Sequence, residues 1–263
     1  MKRPLLALGA LLTLGACTGD SDPVPLPDFD IVDAGTREDA GAPDAGTDVD
    51  AGTDTDAGTD VDAGVDAGSR PVDPFADRVM AYSFGDSAGF GQDRFPDVVF
   101  GPPVGAGQHA GSLHVLSLGR NGSITLEFTD LFAVDGPGVD LLVFENAFQK
   151  VGGDVFAETA RVSVSDDGVT WFDFACDPSD KDGGYPGCAG THPVHSAPDN
   201  GVSPTDPAVA GGDGYDLADV GLPRARFVRL TDTGLNSYGG TSGGFDLDAL
   251  SVVNGQLPDG GVP

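Results

Sequence analysis

Residues 113–128, LHVLSLGRNGSITLEF, carry the clearest local signal of a fold in this chain. Apolar residues alternate with polar ones on both sides of Asn121-Gly122. An Asn-Gly pair between two such runs is typical of a β-hairpin, because both residues tolerate a positive φ. The stretch predicts two antiparallel strands, 113–118 and 123–128, joined by a tight turn.

Strand-type alternation recurs between clusters of Gly, Asp, Asn and Pro, and no window shows a convincing helical period. The six further predicted strands are 79–84, 139–145, 159–165, 170–175, 226–232 and 245–253. SDDGVT (165–170) supplies a second hairpin turn. Residues 73–255 are therefore predicted to form an all-β domain, a single jelly-roll β-sandwich, and residues 256–263 a disordered tail.

Residues 18–72 have a different composition. Residues 18–70 contain 15 acidic and 2 basic residues and seven copies of DAG. Such a segment has too few large apolar side chains to offset its conformational entropy, so we predict a disordered, acidic linker. Asp-rich glycine repeats can also bind Ca²⁺ in parallel β-rolls, but those carry an apolar residue at each turn, for which Val49, Val61 and Val65 are the main candidates.

The first seventeen residues, MKRPLLALGALLTLGAC, have the plan of a secretory signal, with a basic start and a short apolar run. Their end, Leu14-Gly15-Ala16-Cys17, resembles the lipobox of bacterial lipoproteins. The resemblance implies an exported protein that is cleaved before Cys17, lipidated on that residue and anchored to the outer membrane or cell surface. An ordinary signal peptide with an incidental cysteine is the alternative.

Charge and cysteine content limit the partners. A formal net charge of −29 repels nucleic acids and attracts cations, so we expect no nucleic-acid partner. In an oxidising compartment, Cys176 and Cys188 are predicted to form a disulfide. The alternative, a metal site, would need further ligands, of which only His192 and His195 are near.

Longer motifs give a second resemblance. ARVSVSDDGVTWFDF (160–174) and RARFVRLTD (224–232) resemble the discoidin-like, galactose-binding-like jelly rolls. The order of GSLHVLSLGRNGSITLEF, DGPGVDLLVFENAF, CAGTHPV, GGDGYDLADVG and GFDLDAL resembles a family of bacterial cell-surface lipoproteins over residues 78–254. The resemblance implies a jelly roll, often stabilised by Ca²⁺, that binds carbohydrate or another surface component.

Several carboxylates lie on otherwise apolar strand faces or beside glycines. Glu145 ends a strand, Asp246 and Asp248 lie in GGFDLDALSVV (243–253), and GGDGYDLADVG contains Asp213, Asp216 and Asp219. Ca²⁺ takes carboxylate and carbonyl oxygens, so we predict a structural Ca²⁺ site among Glu145, Asp213, Asp216, Asp246 and Asp248. Hydrogen bonds that pin loops, or ion pairs with Arg224, Arg226 or Arg229, are the alternatives. Spacing does not decide which carboxylates share a site.

A ligand site is predicted in the long segment 176–224. It contains Tyr185, His192, His195 and Tyr215, and sugar sites combine aromatic rings with polar side chains. Trp171, the single tryptophan, is expected to pack in the core.

The sequence does not favour an enzyme. Ser87 and Ser242 lie in G-x-S-x-G segments, but neither has the helix that this motif requires, and Asp166-Asp167 fit a hairpin turn. We therefore expect a module that binds a glycan or another surface component. A structural component of the envelope with protein partners is the alternative, and a hydrolase is a third hypothesis.

Overall fold

The computed structural model describes residues 71–235 and 240–263, which form an antiparallel all-β fold. The strands are β1 (Arg78–Ser83), β2 (Leu116–Ser117), β3 (Ser123–Glu127), β4 (Phe132–Val134), β5 (Leu141–Phe144), β6 (Phe148–Gln149), β7 (Val155–Phe156), β8 (Ala160–Ser165), β9 (Phe172–Asp173), β10 (Asp213–Tyr215), β11 (Arg224–Ala225), β12 (Phe227–Asp232), β13 (Asp246–Leu247), β14 (Ala249–Val252) and β15 (Gly255–Gln256). The helical segments in this part of the chain are single 3₁₀ turns at Gln92–Arg94, Asp97–Val99 and Leu217–Val220. The predicted all-β class is confirmed. The predicted signal segment, Cys17 and the linker up to residue 70 lie outside the described residues.

Two antiparallel sheets organise the domain. The larger has the order β1-β3-β12-β8-β9, and the smaller has the order β10-β5-β14. Both contribute to one hydrophobic core, with Val164 and Val228 from the larger sheet and Leu141 and Val143 from the smaller. Because the two inner faces share one core, the domain is a β-sandwich. Shorter pairings, β11-β4-β15, β13-β2 and β6-β7, complete the strand contacts.

Strand β5 is buried on both faces. Its residues Leu142 and Phe144 pack against Val194 and Ala210, which belong to the long loop after the disulfide. This loop therefore covers the outer face of the smaller sheet. The double burial explains why LLVF is a continuous apolar run.

The turn at Asn121 joins strands of different sheets. Strand β3 pairs with β1 and β12, whereas the short β2 pairs with β13. The predicted 113–118/123–128 hairpin is therefore wrong, although Asn121 has the expected positive φ of 61°. Strand β1 takes the place beside β3, and Leu113 at the start of the first predicted strand is 76 % exposed. The second predicted hairpin, β8–β9, is confirmed.

The predicted strand 245–253 is interrupted at Asp248. Asp246 pairs with Ser117 of β2, and after the break Ala249 pairs with Phe144 of β5. The Asp248 carboxylate accepts hydrogen bonds of 3.1 and 2.9 Å from the N–H of Val104. The chain thus changes partner strands at Asp248, which corrects the expectation of one continuous strand.

The chain end is hydrogen-bonded beyond the predicted boundary. Strand β15 pairs with β4, and the N–H of Leu257 donates to the carbonyl of Gly261 at 2.8 Å. The segment predicted as a tail, 256–263, therefore begins inside a strand.

The predicted disulfide is confirmed, with the sulfur atoms of Cys176 and Cys188 2.02 Å apart. Across residues 71–235 and 240–263, there is no helix of the length and apolarity needed to cross a bilayer.

Candidate metal centre

Three buried carboxylates meet where strands of different sheets end. Glu145 follows β5, Glu158 precedes β8, and Asp246 begins β13. One oxygen from each lies within 4.8 Å of the others. The three residues are 1 %, 2 % and 3 % exposed, respectively. We call these three residues the acidic trio.

Local structure holds the trio rigidly. Glu145 continues the apolar strand β5, and Asp246 lies between Phe245 and Leu247, which are both 0 % exposed. Glu158 is followed by β8, whose first residue, Ala160, also forms a bridge with Ala189. Each carboxylate is thus carried on backbone that is fixed by strand pairing or core packing.

The hydrogen bonds of the trio are unequal. Asp246 accepts from the Ser117 hydroxyl and, at 3.2 Å, from Nδ2 of Asn146. The backbone of Gly244 lies close enough to Glu158 to lower its pKa. In the described part of the chain, neither oxygen of Glu145 has a hydrogen-bond partner; the nearby N–H of Asn146 lowers its pKa but does not reach hydrogen-bond geometry. A buried carboxylate in this state is costly unless a proton or a cation compensates it.

The electrostatics of the trio favour added positive charge. Burial, followed by repulsion from Asp246 and Glu158, raises the pKa of Glu145 well above its ordinary value. Burial and Asp246 raise the pKa of Glu158 to about 9. Burial likewise raises the pKa of Asp246. The three groups cannot all be ionised at neutral pH without a nearby cation.

Two of the predicted ligands, Asp213 and Asp248, accept hydrogen bonds that pin loops. Asp213 accepts from the N–H groups of Gly190 and Thr191 at 2.7 and 3.0 Å and contacts Nδ1 of His192 at 2.7 Å. Asp248 accepts from the N–H of Val104, as described above. Both side chains are thus supplied with protein donors, and neither belongs to the trio.

A second acidic group contains the remaining predicted ligand, Asp216. Its side chain caps a 3₁₀ turn through the N–H of Ala218 and groups with Asp135 and Asp140. Asp140 is 0 % exposed and accepts from Gly136, Leu217 and Asn254. Because this buried carboxylate is fully supplied with protein donors, the second group has less need of an ion.

Of the predicted ligands, the structure brings together Glu145 and Asp246, and sequence reasoning missed Glu158. The sequence signal for Glu158 is weak. Glu158 directly precedes the predicted strand 159–165, as Glu145 ends the predicted strand 139–145. That the two strand ends meet depends on the sheet order, which the sequence does not show.

The arginines have other partners. Arg224 pairs with Asp166, and Arg226 pairs with Glu127. Arg229 lies 3.8 Å from the ring centroid of Trp171. Trp171 is half-buried and does not belong to the core, so the prediction that it packs there is wrong. Ion pairing with these arginines therefore does not explain Asp246 or Asp248.

The predicted ligand residues are divided between two places. Tyr185, His192 and Tyr215 line one pocket of about 550 Å³ together with Asp213. His195 lies outside this pocket, with Nε2 3.3 Å from the side-chain oxygen of Gln108. We call the first of these places the histidine pocket.

Comparison of the chain with protein-family models and with curated proteins finds no match. The functional argument therefore rests on the chemistry of the acidic trio and of the pockets.

Proposed function

We propose that this chain is an exported, lipid-anchored surface module whose β-sandwich holds a structural Ca²⁺ and binds a glycan. The observation that carries the Ca²⁺ proposal is Glu145, whose two buried oxygens have no hydrogen bond within residues 71–235 and 240–263 and lie beside two further carboxylates. The sequence of residues 1–17 supports export and lipidation at Cys17.

The donor set suits Ca²⁺. The trio offers oxygen and no imidazole or thiolate, which favours a hard cation over zinc. Ca²⁺ binds about six to eight oxygens, of which three carboxylates can supply up to about six. The buried Oδ1 atom of Asn146, which has no hydrogen bond to any described residue, is a further ligand atom. Mg²⁺ usually keeps several waters, and a site this buried leaves little room for them.

The histidine pocket supports glycan binding. It presents the ring of Tyr185, the imidazole of His192 and several glycine backbones to solvent. The His192 side chain is 71 % exposed and is held by Asp213, which raises its pKa through their hydrogen bond. An aromatic surface beside fixed polar groups is the usual composition of a saccharide site.

A calorimetric titration of the full chain with Ca²⁺ tests the proposal. We expect one bound ion, with binding weakened at least tenfold or abolished in Glu145→Gln, because a ligand charge is lost. The matched control is Asp135→Asn, which makes the same charge change in the second acidic group. If Glu145→Gln binds Ca²⁺ as tightly as the wild type, the trio does not hold the ion.

The pH dependence of stability should differ with and without Ca²⁺. In protein freed of Ca²⁺ on a chelating resin, stability should fall as pH rises from about 5 to about 9, because folded Glu158 keeps a proton that the unfolded chain has released. In saturating Ca²⁺ the part of this loss that comes from the trio should disappear, since the ion replaces the proton, whereas the smaller part from Asp248, whose pKa burial raises to about 7, should remain. Unfolding midpoints across this pH range check both statements; stability of the Ca²⁺-free protein that rises over the range would contradict them.

A role in envelope assembly is the second candidate. Strand β1 is an edge of the larger sheet, and its Met80 and Tyr82 are 41 % and 42 % exposed. An edge strand can pair with an extended segment of another protein. Stoichiometric recovery of one envelope protein by a chain that binds no glycan would favour this candidate.

A further inference from the structure

Both lysines of the domain line the same pocket. The chain has three lysines, of which Lys2 belongs to the predicted signal segment. Lys150, in the β6–β7 hairpin, and Lys181, in the disulfide-closed loop, line a cavity of about 460 Å³ with Phe156, Ser179 and Tyr185. We call this cavity the lysine pocket.

The two lysines differ from the arginines in their partners. Several arginines form ion pairs, stack on rings or donate to carbonyls. Within the described residues, neither Lys150 nor Lys181 makes an ion pair with a carboxylate. Nearby Asp177 and Asp180 instead accept N–H groups of their own turn, from Ser179 and Gly183. Two ammonium groups are therefore available in a domain that is otherwise strongly acidic.

Ring packing and a constrained backbone shape the walls of the lysine pocket. Phe156 stacks on Phe148 across the hairpin, with ring centroids 4.9 Å apart, and the Lys150 ammonium lies 5.6 Å from the Phe156 ring centroid. Tyr185 has a φ of 57°, a strained value for a bulky residue. Such strain persists only where the surrounding structure imposes it, and it often accompanies a binding site.

Tyr185 also connects the two pockets. Its side chain lines both the lysine pocket and the histidine pocket. Ala157 and Thr159, on either side of Glu158 in the chain, also line the lysine pocket, so the segment that carries a trio residue forms part of its wall. A chain of sugar units could thus occupy both pockets in series.

We propose that this module selects acidic saccharides, with a carboxylate or sulfate between Lys150 and Lys181 and a neighbouring sugar against Tyr185 in the histidine pocket. This inference rests on the proposed glycan binding and specifies its ligand class. The apolar face of a sugar ring packs on an aromatic wall, and its anionic group accepts charge-assisted hydrogen bonds. The remaining acidic surface repels polyanions, which confines recognition to this pocket.

The test uses the full chain in Ca²⁺ at physiological salt. The probes are galacturonate and mannuronate trisaccharides, each compared with its methyl ester, and a chondroitin tetrasaccharide with and without sulfate. We expect at least one acidic probe to bind about tenfold more tightly than its esterified or unsulfated counterpart, because the latter lacks a charge-assisted hydrogen bond. The carboxylate and sulfate arms distinguish the two sources of negative charge.

The variants locate the site. Lys150→Gln and Lys181→Gln should each weaken binding of the acidic probe by about tenfold and leave binding of the neutral methyl esters unchanged. Arg120→Gln, which removes one positive charge outside the lysine pocket, should bind as the wild type does. Unchanged unfolding midpoints confirm that the variants are folded.

The contrary outcomes are distinct. Equal binding of acid and ester overturns the charge selection and leaves glycan binding in place. Acid-selective binding that survives both lysine substitutions overturns the lysine pocket as its site. Failure of all acidic probes, while an uncharged probe binds, overturns the inference alone, whereas failure of every probe also counts against the proposed glycan binding.

Discussion

Saturating Ca²⁺ is expected to raise the thermal unfolding midpoint of this chain by roughly 10 °C. A ligand that binds only the folded state at about a hundred times its Kd adds roughly 3 kcal/mol to the free energy of unfolding. For a domain of this size, each kcal/mol corresponds to roughly 2 to 4 °C. The unfolded chain separates the three carboxylates and has little affinity for the ion, so nearly all of the binding energy appears as stability.

Tight Ca²⁺ binding is expected because the trio is unfavourable without the ion. Its residues are at most 3 % exposed, and their oxygens lie within 4.8 Å of one another. Repulsion and burial then oppose ionisation, while none of the residues that the structure describes gives Glu145 a hydrogen bond to offset its burial. A divalent cation offsets both the repulsion among the carboxylates and the cost of burying Glu145.

Differential scanning calorimetry in Ca²⁺, in Mg²⁺ and after chelation measures the shift. Mg²⁺ should raise the unfolding midpoint much less than Ca²⁺ does, since the buried site favours an ion that readily loses its bound water. Glu145→Gln should abolish the Ca²⁺ response, whereas Asp135→Asn should retain it. Equal midpoints in Ca²⁺ and chelator would mean that protons, and not a metal, neutralise the trio.

The long strands of this fold could be predicted closely. Predicted strands 123–128, 159–165 and 226–232 correspond to β3, β8 and β12 with differences of one residue. Each has enough alternating positions to show the period of two. Strands β4, β10 and β15 were missed because two or three residues carry no periodicity, and their pairing is imposed by the partner strand.

The candidate site was only partly predictable. Glu145 and Asp246 were flagged because a carboxylate interrupts apolar alternation, and both belong to the trio. Asp213 and Asp248 show a similar signal, yet backbone N–H groups satisfy them. A sequence can therefore reveal a buried carboxylate, but the group that compensates it comes from loops far away in the chain.

Replacing Asp140 by alanine is expected to lower the free energy of unfolding by about 3 kcal/mol, because one buried and two part-buried donors lose a charged acceptor. Its Oδ1 accepts from the N–H of Gly136 at 2.9 Å and from Asn254 at 2.7 Å, and its Oδ2 accepts from the N–H of Leu217 at 2.8 Å. One carboxylate thus fixes the loop before β5, the 3₁₀ turn after β10 and the chain after β14. Alanine removes this acceptor from the buried N–H of Leu217 and the part-buried N–H of Gly136, while Nδ2 of Asn254 keeps the carbonyl of Val139.

Chemical denaturation of the full chain, in Ca²⁺ throughout, measures this loss. Asp135→Ala is the matched control, because Asp135 belongs to the same acidic group but is exposed. The control should change stability by less than about 0.5 kcal/mol. Asp140→Ala should keep its Ca²⁺ response, since the trio is intact. A Ca²⁺ response lost in Asp140→Ala, or reduced by Asp135→Ala, would instead place an ion in the second acidic group, and hydrogen bonding alone would no longer account for Asp140.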